Sequence, residues 1–210
     1  MEILSELEYL KNYVKKIYAK NDPAHDFAHI MRVYKNAEKI CRGEIVNKKL
    51  VLISVLLHDI VKKSDVDKRK KTSAELSAEK ASSILRKLRL SEAEISIVSE
   101  AISNHSFTKN NISSSLEGRI LQDADRLDAL GSIGIARVFS VSGTKNRQFY
   151  EPRDPFSKNR SPNDRKWALD HFFKKLLLLE NMMNTKIGKI EAKKRTKVLQ
   201  NYLNALKKEI

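Results

Sequence analysis

Apolar residues recur at three- and four-residue spacing through most of the chain, the period of helices buried along one face. Ile3, Leu7, Leu10, Val14 and Ile17, separated by lysines and glutamates, predict a surface helix ending near Asn21-Asp22-Pro23. Asp26 is a candidate N-cap for a helix over 26–42, with the stripe Phe27, Ile30, Val33 or Tyr34, Ala37 and Cys41, and Gly43 as its stop. Residues 48–61 are apolar nearly all round, which predicts a central helix. After a charged connection over 62–71, Thr72-Ser73-Ala74-Glu75 and Ser91-Glu92-Ala93-Glu94 match capping boxes. They open helices running to about Arg89 and about His105. A polar loop over 109–115 leads to a helix over about 116–130, then to Gly131, Gly134 and a short apolar stretch over 133–141.

The character changes over 142–163, which holds Gly143, Pro152, Pro155, Pro162, Arg147, Arg153, Arg160, Phe149 and Tyr150, with Arg165 just beyond. Long irregular segments in compact domains are often functional, so this one reads as a lid or rim over an active site. A long helix is expected over about 163–184, with Trp167, Phe172 or Phe173, Leu176, Leu179 and Met183 inward. The last helix, from about 187, would place Ile190, Arg195, Val198, Tyr202 and Leu206 on one side. These elements predict an all-α protein, one domain over 1–210 with a single sizeable core.

Composition adds three constraints. Only four prolines and six glycines interrupt the helices, and the single Cys41 excludes an intramolecular disulfide, which suits a reducing compartment. The start of the chain is acidic and amphipathic, unlike a signal peptide, and its longest apolar run is too short to span a bilayer. The expectation is a cytoplasmic protein with no membrane partner. A net charge of +15 points either to an anionic partner or to a lysine-rich solvated surface.

Chemistry concentrates in a few places. The apolar run 50–57 stops on His58-Asp59, and an unpaired carboxylate at a buried helix end is costly to desolvate. A cation belongs there, either a metal ion or a basic side chain. His25 and His29 lie four apart and can share a helical face. In Gln122-Asp123-Ala124-Asp125-Arg126-Leu127-Asp128, Asp125 and Asp128 share a face. Asp123 points elsewhere and reads as a surface residue, while Asp128 reads as a salt-bridge partner of Arg126 or Arg32.

The order His29, His58-Asp59, Asp125 resembles the H…HD…D pattern of the HD-domain metal-dependent phosphohydrolase superfamily. The surrounding blocks His25-Asp26-Phe27-Ala28-His29, Leu57-His58-Asp59-Ile60-Val61-Lys62, Asn104-His105-Ser106-Phe107 and Gln122 to Gly131 resemble its small single-domain branch. The resemblance covers nearly the whole chain. It implies an all-α HD-type helical bundle with a metal site between central helices. His29, His58, Asp59 and Asp125 would bind one divalent transition metal. Two imidazoles and two carboxylates suit a borderline first-row ion better than Ca²⁺; Mn²⁺ is the expected ion, with Fe²⁺, Co²⁺, Ni²⁺, Zn²⁺ or Mg²⁺ as alternatives. Dinuclear relatives carry further histidines before the last aspartate. Here only His105 occupies that interval, so one ion is expected.

The implied activity is phosphohydrolysis, in which metal-bound water attacks a phosphoryl group of a nucleotide or similar small phosphate compound. Phosphatase, pyrophosphatase and phosphodiesterase activities are not distinguished. Asp59, Lys62, Asp128 and His105 are the candidate catalytic residues. His25, Arg32, Lys62, Arg147 and Arg153 are the candidate substrate contacts, and His171 is expected to be structural. The alternative is a basic nucleotide- or nucleic-acid-binding module with a vestigial metal site.

Overall fold

The computed structural model describes residues 3–19, 26–61, 71–107 and 111–210. His25, Lys62 and most of the charged connection lie outside the described residues. Nine α-helices and one 3₁₀ helix, and no strand, occur among those described. None of these helices is long and apolar enough to cross a membrane. The chain divides into two compact units, Met1–Asp125 and Arg126–Ile210.

The first unit is built on α3 (Lys48–Leu57), which is buried from Leu50 to Leu57. An element apolar on every side is stable only when neighbours cover every side. Here α1 (Ile3–Tyr18), α2 (Phe27–Cys41), α4 (Ser73–Lys87) and α5 (Glu92–Asn104) all pack on it. Local signals set most of the starts. Asp26 caps α2 by accepting the His29 backbone N–H at 2.9 Å. Thr72 with Glu75 and Ser91 with Glu94 form complete capping boxes on α4 and α5. α6 (Leu116–Asp128) runs from this unit into the next.

Several ends differ from expectation. α1 stops at Tyr18, whose ring is buried with Leu7, Leu10 and Val14, while Ile17 is only half-buried. On α2 both Val33 and Tyr34 are buried, along with His29, Asn36 and Ile40. α3 ends at Leu57 and not near residue 61. A continuing helix would deliver the Asp59 N–H to the Val55 carbonyl. The His58 ring takes that carbonyl instead, through Nδ1 at 2.8 Å. Competition of this kind between side chain and backbone terminates helices.

In the second unit the stretch expected only to be apolar is a full helix, α7 (Gly131–Thr144). Gly131, at φ +68°, supplies the left-handed residue between α6 and α7. The long helix expected over 163–184 is absent. In its place are α8 (Asp170–Lys174) and a 3₁₀ helix (Leu176–Met182), although Trp167, Phe172, Leu176, Leu179 and Met183 are buried as expected. α9 (Lys186–Leu206) packs on α7 and the 3₁₀ helix through Gly188, Ala192, Thr196, Leu199 and Leu203. Ile190 and Val198, expected on one side of the helix with Arg195, Tyr202 and Leu206, are 48% and 39% exposed. Small residues let helices approach closely, and that rotates the larger aliphatics outward.

The Asp170 carboxylate explains the lost helix. It is fully buried and accepts two hydrogen bonds from Arg160, one from the Ser157 hydroxyl and one from the Asn163 backbone N–H. Asp154 accepts the N–H groups of Lys158 and Asn159. Gln148 and Phe149 pair with Ala168 and Leu169 through backbone bonds of 2.8 Å each. Trp167 is thereby drawn into an isolated bridge with Gln148 and away from helical geometry. The segment after α7 is irregular, as expected, but it is fixed internally by these bonds.

Asp170→Ala should cost about 1.5–3 kcal/mol, the magnitude of lost hydrogen bonds to a charged group, measured by urea unfolding; the half-buried Arg160 keeps the Asp154 carbonyl as a partner. Nearby, burial opposes ionisation of Asp164, yet hydrogen bonds from Lys174 and His171 prevail and bring its pKa down to about 2. A depressed carboxylate contributes stability that is complete above its ordinary value of 3.8 and lost as pH falls through about 2. Asp164→Asn should therefore shrink the fall in Tm over that interval. An unchanged Tm profile would show the triad to be energetically idle.

Candidate metal centre

Five side chains of the first unit converge. His29 is the third residue of α2 and is 1% exposed. His58 and His105 are the residues capping the C-terminal ends of α3 and α5, and both are buried. Asp59 follows His58, and Asp125 lies in the last turn of α6; their side chains are 25% and 30% exposed. His29 Nε2 is 3.7 Å from Asp125 Oδ1, and His58 Nε2 is 4.0 Å from the same oxygen. Asp59 divides its oxygens, with Oδ2 at 3.7 Å from His58 Nε2 and Oδ1 at 3.5 Å from His105 Nε2. The rings of His29 and His105 each meet His58 edge-on, at 5.6 and 5.0 Å between centroids.

The tautomers follow from the backbone. His58 Nδ1 contacts the Val55 carbonyl at 2.8 Å, and His105 Nδ1 contacts the Ile102 carbonyl at 2.6 Å. A carbonyl can only accept, so each Nδ1 carries a proton, and a neutral His58 turns its Nε2 lone pair inward. Burial opposes the charged form of His105, but its contact with Asp59 outweighs burial and raises its pKa. His58 Nε2 is buried and makes no hydrogen bond. Lone pairs facing carboxylate oxygens at 3.7–4.0 Å repel unless a cation lies among them. Donors held about 2.0–2.2 Å from one ion lie roughly 3–4 Å from each other, so the spacing fits. His29, His58 and Asp125 form one group able to hold an ion, and His58, Asp59 and His105 form a second that shares His58. Ligation of a histidine whose other nitrogen donates to a backbone carbonyl is the usual arrangement around metals.

The electrostatics agree. Burial alone would raise the pKa of Asp59 and Asp125, but His58 and the other imidazoles outweigh it and hold both carboxylates below their ordinary range. Burial, reinforced by His105 and His29, lowers the pKa of His58. α3 and α5 also end here, and the negative end of a helix dipole favours a cation.

The four expected ligands are thus brought together, and His105 joins them. Asp128 is buried and its carboxylate accepts Arg137 Nη1 at 2.6 Å, so its expected ion pair exists with Arg137 as partner. Asp123 is fully buried and not a surface residue. Arg32 is half-buried on α2. Arg147 is half-buried and Arg153 exposed, both on the irregular segment of the second unit. His171 has the structural partner expected of it, Asp164.

Three supporting residues had no sequence signal strong enough to single them out. Gln122, fully buried, donates to the Asn104 and Asn111 carbonyls at 2.8 and 2.7 Å and accepts the Ser113 N–H at 3.4 Å. It ties the end of α5, beside His105, to α6 one turn before Asp125. Asn36 donates to the Ala124 carbonyl at 3.0 Å, joining α2 to α6 next to Asp125. The Tyr18 phenol is buried near Asp59; burial, then the Asp59 charge, push its pKa well above the ordinary value. A polar residue in an apolar stripe was the available clue for Asn36, and Gln122 stood inside a motif already noted.

The HD domain family model matches residues 26–130. A solved HD-superfamily hydrolase from Bacillus thuringiensis is 35% identical with a TM-score of 0.76, over 99% of this chain and 98% of that one. Bacillus subtilis YpgQ, solved in complex with ADP, is 29% identical with a TM-score of 0.78, over 100% of this chain and 97% of that one.

Gln122→Leu should leave the Asn104 and Asn111 carbonyls without their side-chain donor, at about 1–3 kcal/mol for each one left unsatisfied. Urea unfolding measures the loss, and Mn²⁺ titration should show weaker binding because His105 and Asp125 lose their common tie. Wild-type stability in this variant would remove Gln122 from the site's framework.

Proposed function

The chain belongs to the HD-domain family, and from that membership we propose that it is a divalent-metal-dependent phosphohydrolase of small phosphate compounds, nucleotides above all. The observation that carries this reading is the buried lone pair of His58 Nε2, aimed between two carboxylates and lacking a hydrogen-bond partner. The ADP bound to YpgQ favours a nucleotide as the substrate class. His29, His58, Asp59 and Asp125 would hold the ion; their mixed nitrogen and oxygen donors suit a first-row divalent ion, and Mn²⁺ is our candidate. When bound, a divalent ion acidifies a coordinated water and polarises a phosphoryl oxygen.

The chain's own groups have distinct tasks in this reading. Val55 and Ile102 carbonyls fix the His58 and His105 rings, so donors need no reorganisation when substrate arrives. Asp59 presents Oδ2 to the ligand cluster and Oδ1 to His105. His105 therefore orients the carboxylate and stands beside the reacting position. Lys62 and His25, outside the described residues, and Arg32, Arg147 and Arg153 remain our candidates for phosphate contacts. Arg147 and Arg153 sit on an internally bonded segment, so their contribution would be positioning by a preformed surface. Asp128, engaged by Arg137, would act by ordering the end of α6.

Asp59→Ala should abolish hydrolysis in a screen over mono-, di- and triphosphates and should lower bound metal while circular dichroism stays helical. Full activity in that variant, or after thorough chelation, would refute the assignment. Metal at about a hundred times its Kd should raise stability by about 2.7 kcal/mol through linkage. Identical melting of apo and loaded protein would mean that the donors do not bind as a group.

A further inference from the structure

The excess positive charge is concentrated away from the residues of the metal centre in sequence and in unit. Residues 126–210 hold 19 of the 41 basic residues and 8 of the 26 acidic ones, a net +11 of the chain's +15. The five residues of the centre all belong to the other unit. α9 is the most basic element, with Lys186, Lys189, Lys193, Lys194, Arg195 and Lys197 against Glu191 alone.

Two of these six have internal partners. Lys194 pairs with Glu191 at 3.0 Å, and Arg195 donates to the Leu127 carbonyl at 2.6 Å. Lys186, Lys189, Lys193 and Lys197 are exposed and make no ion pair among the described residues. At about 100° per residue, Lys186, Lys193 and Lys197 point within about 40° of one another and Lys189 falls beside them. The row spans roughly 16 Å along the axis.

Helix stability does not account for this row. Lys189, Lys193 and Lys197 are successive like charges four apart, each pair costing a few tenths of a kcal/mol. Lys186 and Lys189 stand in or next to the first turn, at the positive end of the dipole, where cations are disfavoured. α9 has no acidic residue there, whereas α4 and α5 open on Glu75 and on Glu92 and Glu94. An external anion would offset both costs. A small phosphate could not use the whole row, because the row is about twice the ~8 Å screening length at physiological salt. An extended polyanion can.

The composition of the face selects among polyanions. A membrane-surface helix sets a face of Trp, Phe or Leu beside its lysines, whereas no Trp, Phe or Leu of α9 is exposed and its exposed large apolar residues are the separate Ile190 and Val198. Single strands are held by exposed aromatic platforms. The aromatic residue of α9 is Tyr202, half-buried against Phe139 and Phe172. We propose that the Lys186, Lys189, Lys193 and Lys197 row of α9 docks the phosphate backbone of a nucleic-acid duplex without reading its sequence.

Fluorescence anisotropy of the full chain with a short RNA duplex and the matching DNA duplex tests this. Binding should show a Kd of about 10⁻⁴–10⁻⁶ M at physiological salt and a log–log salt slope of about −3 to −4 for four neutralised phosphates. The variant carrying K186Q, K189Q, K193Q and K197Q should bind at least tenfold more weakly, with a slope nearer zero by about 0.9 per lysine. Its metal content and nucleotide hydrolysis should be unchanged and its Tm equal or higher. Wild-type duplex affinity in that variant, binding of anionic vesicles with none to duplex, or a lowered Tm would each overturn the proposal. The binding assay does not depend on hydrolysis, so failure of the phosphohydrolase reading would show separately as wild-type protein that binds duplex but cleaves no phosphate compound.

Discussion

Two backbone carbonyls, those of Val55 and Ile102, govern the chemistry of this chain. Each belongs to the last turn of a helix, where carbonyls lack the usual intrahelical donors, and each is engaged by the imidazole three residues on, the Ile102 carbonyl also accepting the His105 N–H at 3.4 Å. One bond thus does three things. It engages a helix-end carbonyl, it fixes the proton on Nδ1, and it aims Nε2 away from the helix. In α3 it also ends the helix, so that Asp59 departs from helical geometry and can set one oxygen toward His58 and the other toward His105. The apolar core around α3 supplies the rigidity that makes these directions definite.

Much of this was legible in the chain because the signals were local. The Asp26 N-cap, both capping boxes and the wholly apolar α3 are statements about neighbouring residues, and the helices obey them. The four expected ligands, named through the family resemblance, fall in two overlapping groups that share His58. What failed was nonlocal. Nothing near Asn163 says that Asp170 will capture its N–H, yet that bond and the Arg160 pair replace the expected helix with an irregular segment. Hydrophobicity grouped Ile190 and Val198 on one side of the last helix, but the buried side of α9 is the one carrying Gly188, Ala192 and Thr196. Tyr18 and Gln122 serve the site through contacts 41 and 18 residues away in sequence, to Asp59 and Asn104 respectively.

The division of labour along the chain is marked. The matched family region, 26–130, contains every member of the metal cluster. The remainder contributes the aromatic group of Phe139, Phe149, Phe172 and Tyr202, the Asp170 network and most of the net charge. Screening confines a surface lysine's influence to about 8 Å at physiological salt, so each lysine has to be judged by what lies beside it.

The same reasoning decides how the cluster's two carboxylates are balanced. Protonating His58 would supply a positive charge, but Nε2 is buried and its nearest carboxylate oxygens stand at 3.7 and 4.0 Å. Those distances exceed a hydrogen bond, so the added proton would have no acceptor within reach. Burial acts against the charged ring as well. A cation placed among the Nε2 atoms and the oxygens meets no such obstacle, because it accepts lone pairs from every side at once. The separations that are too long for hydrogen bonds are those that donors around a shared ion adopt, and this mismatch with proton chemistry is what fits the cluster to a metal ion.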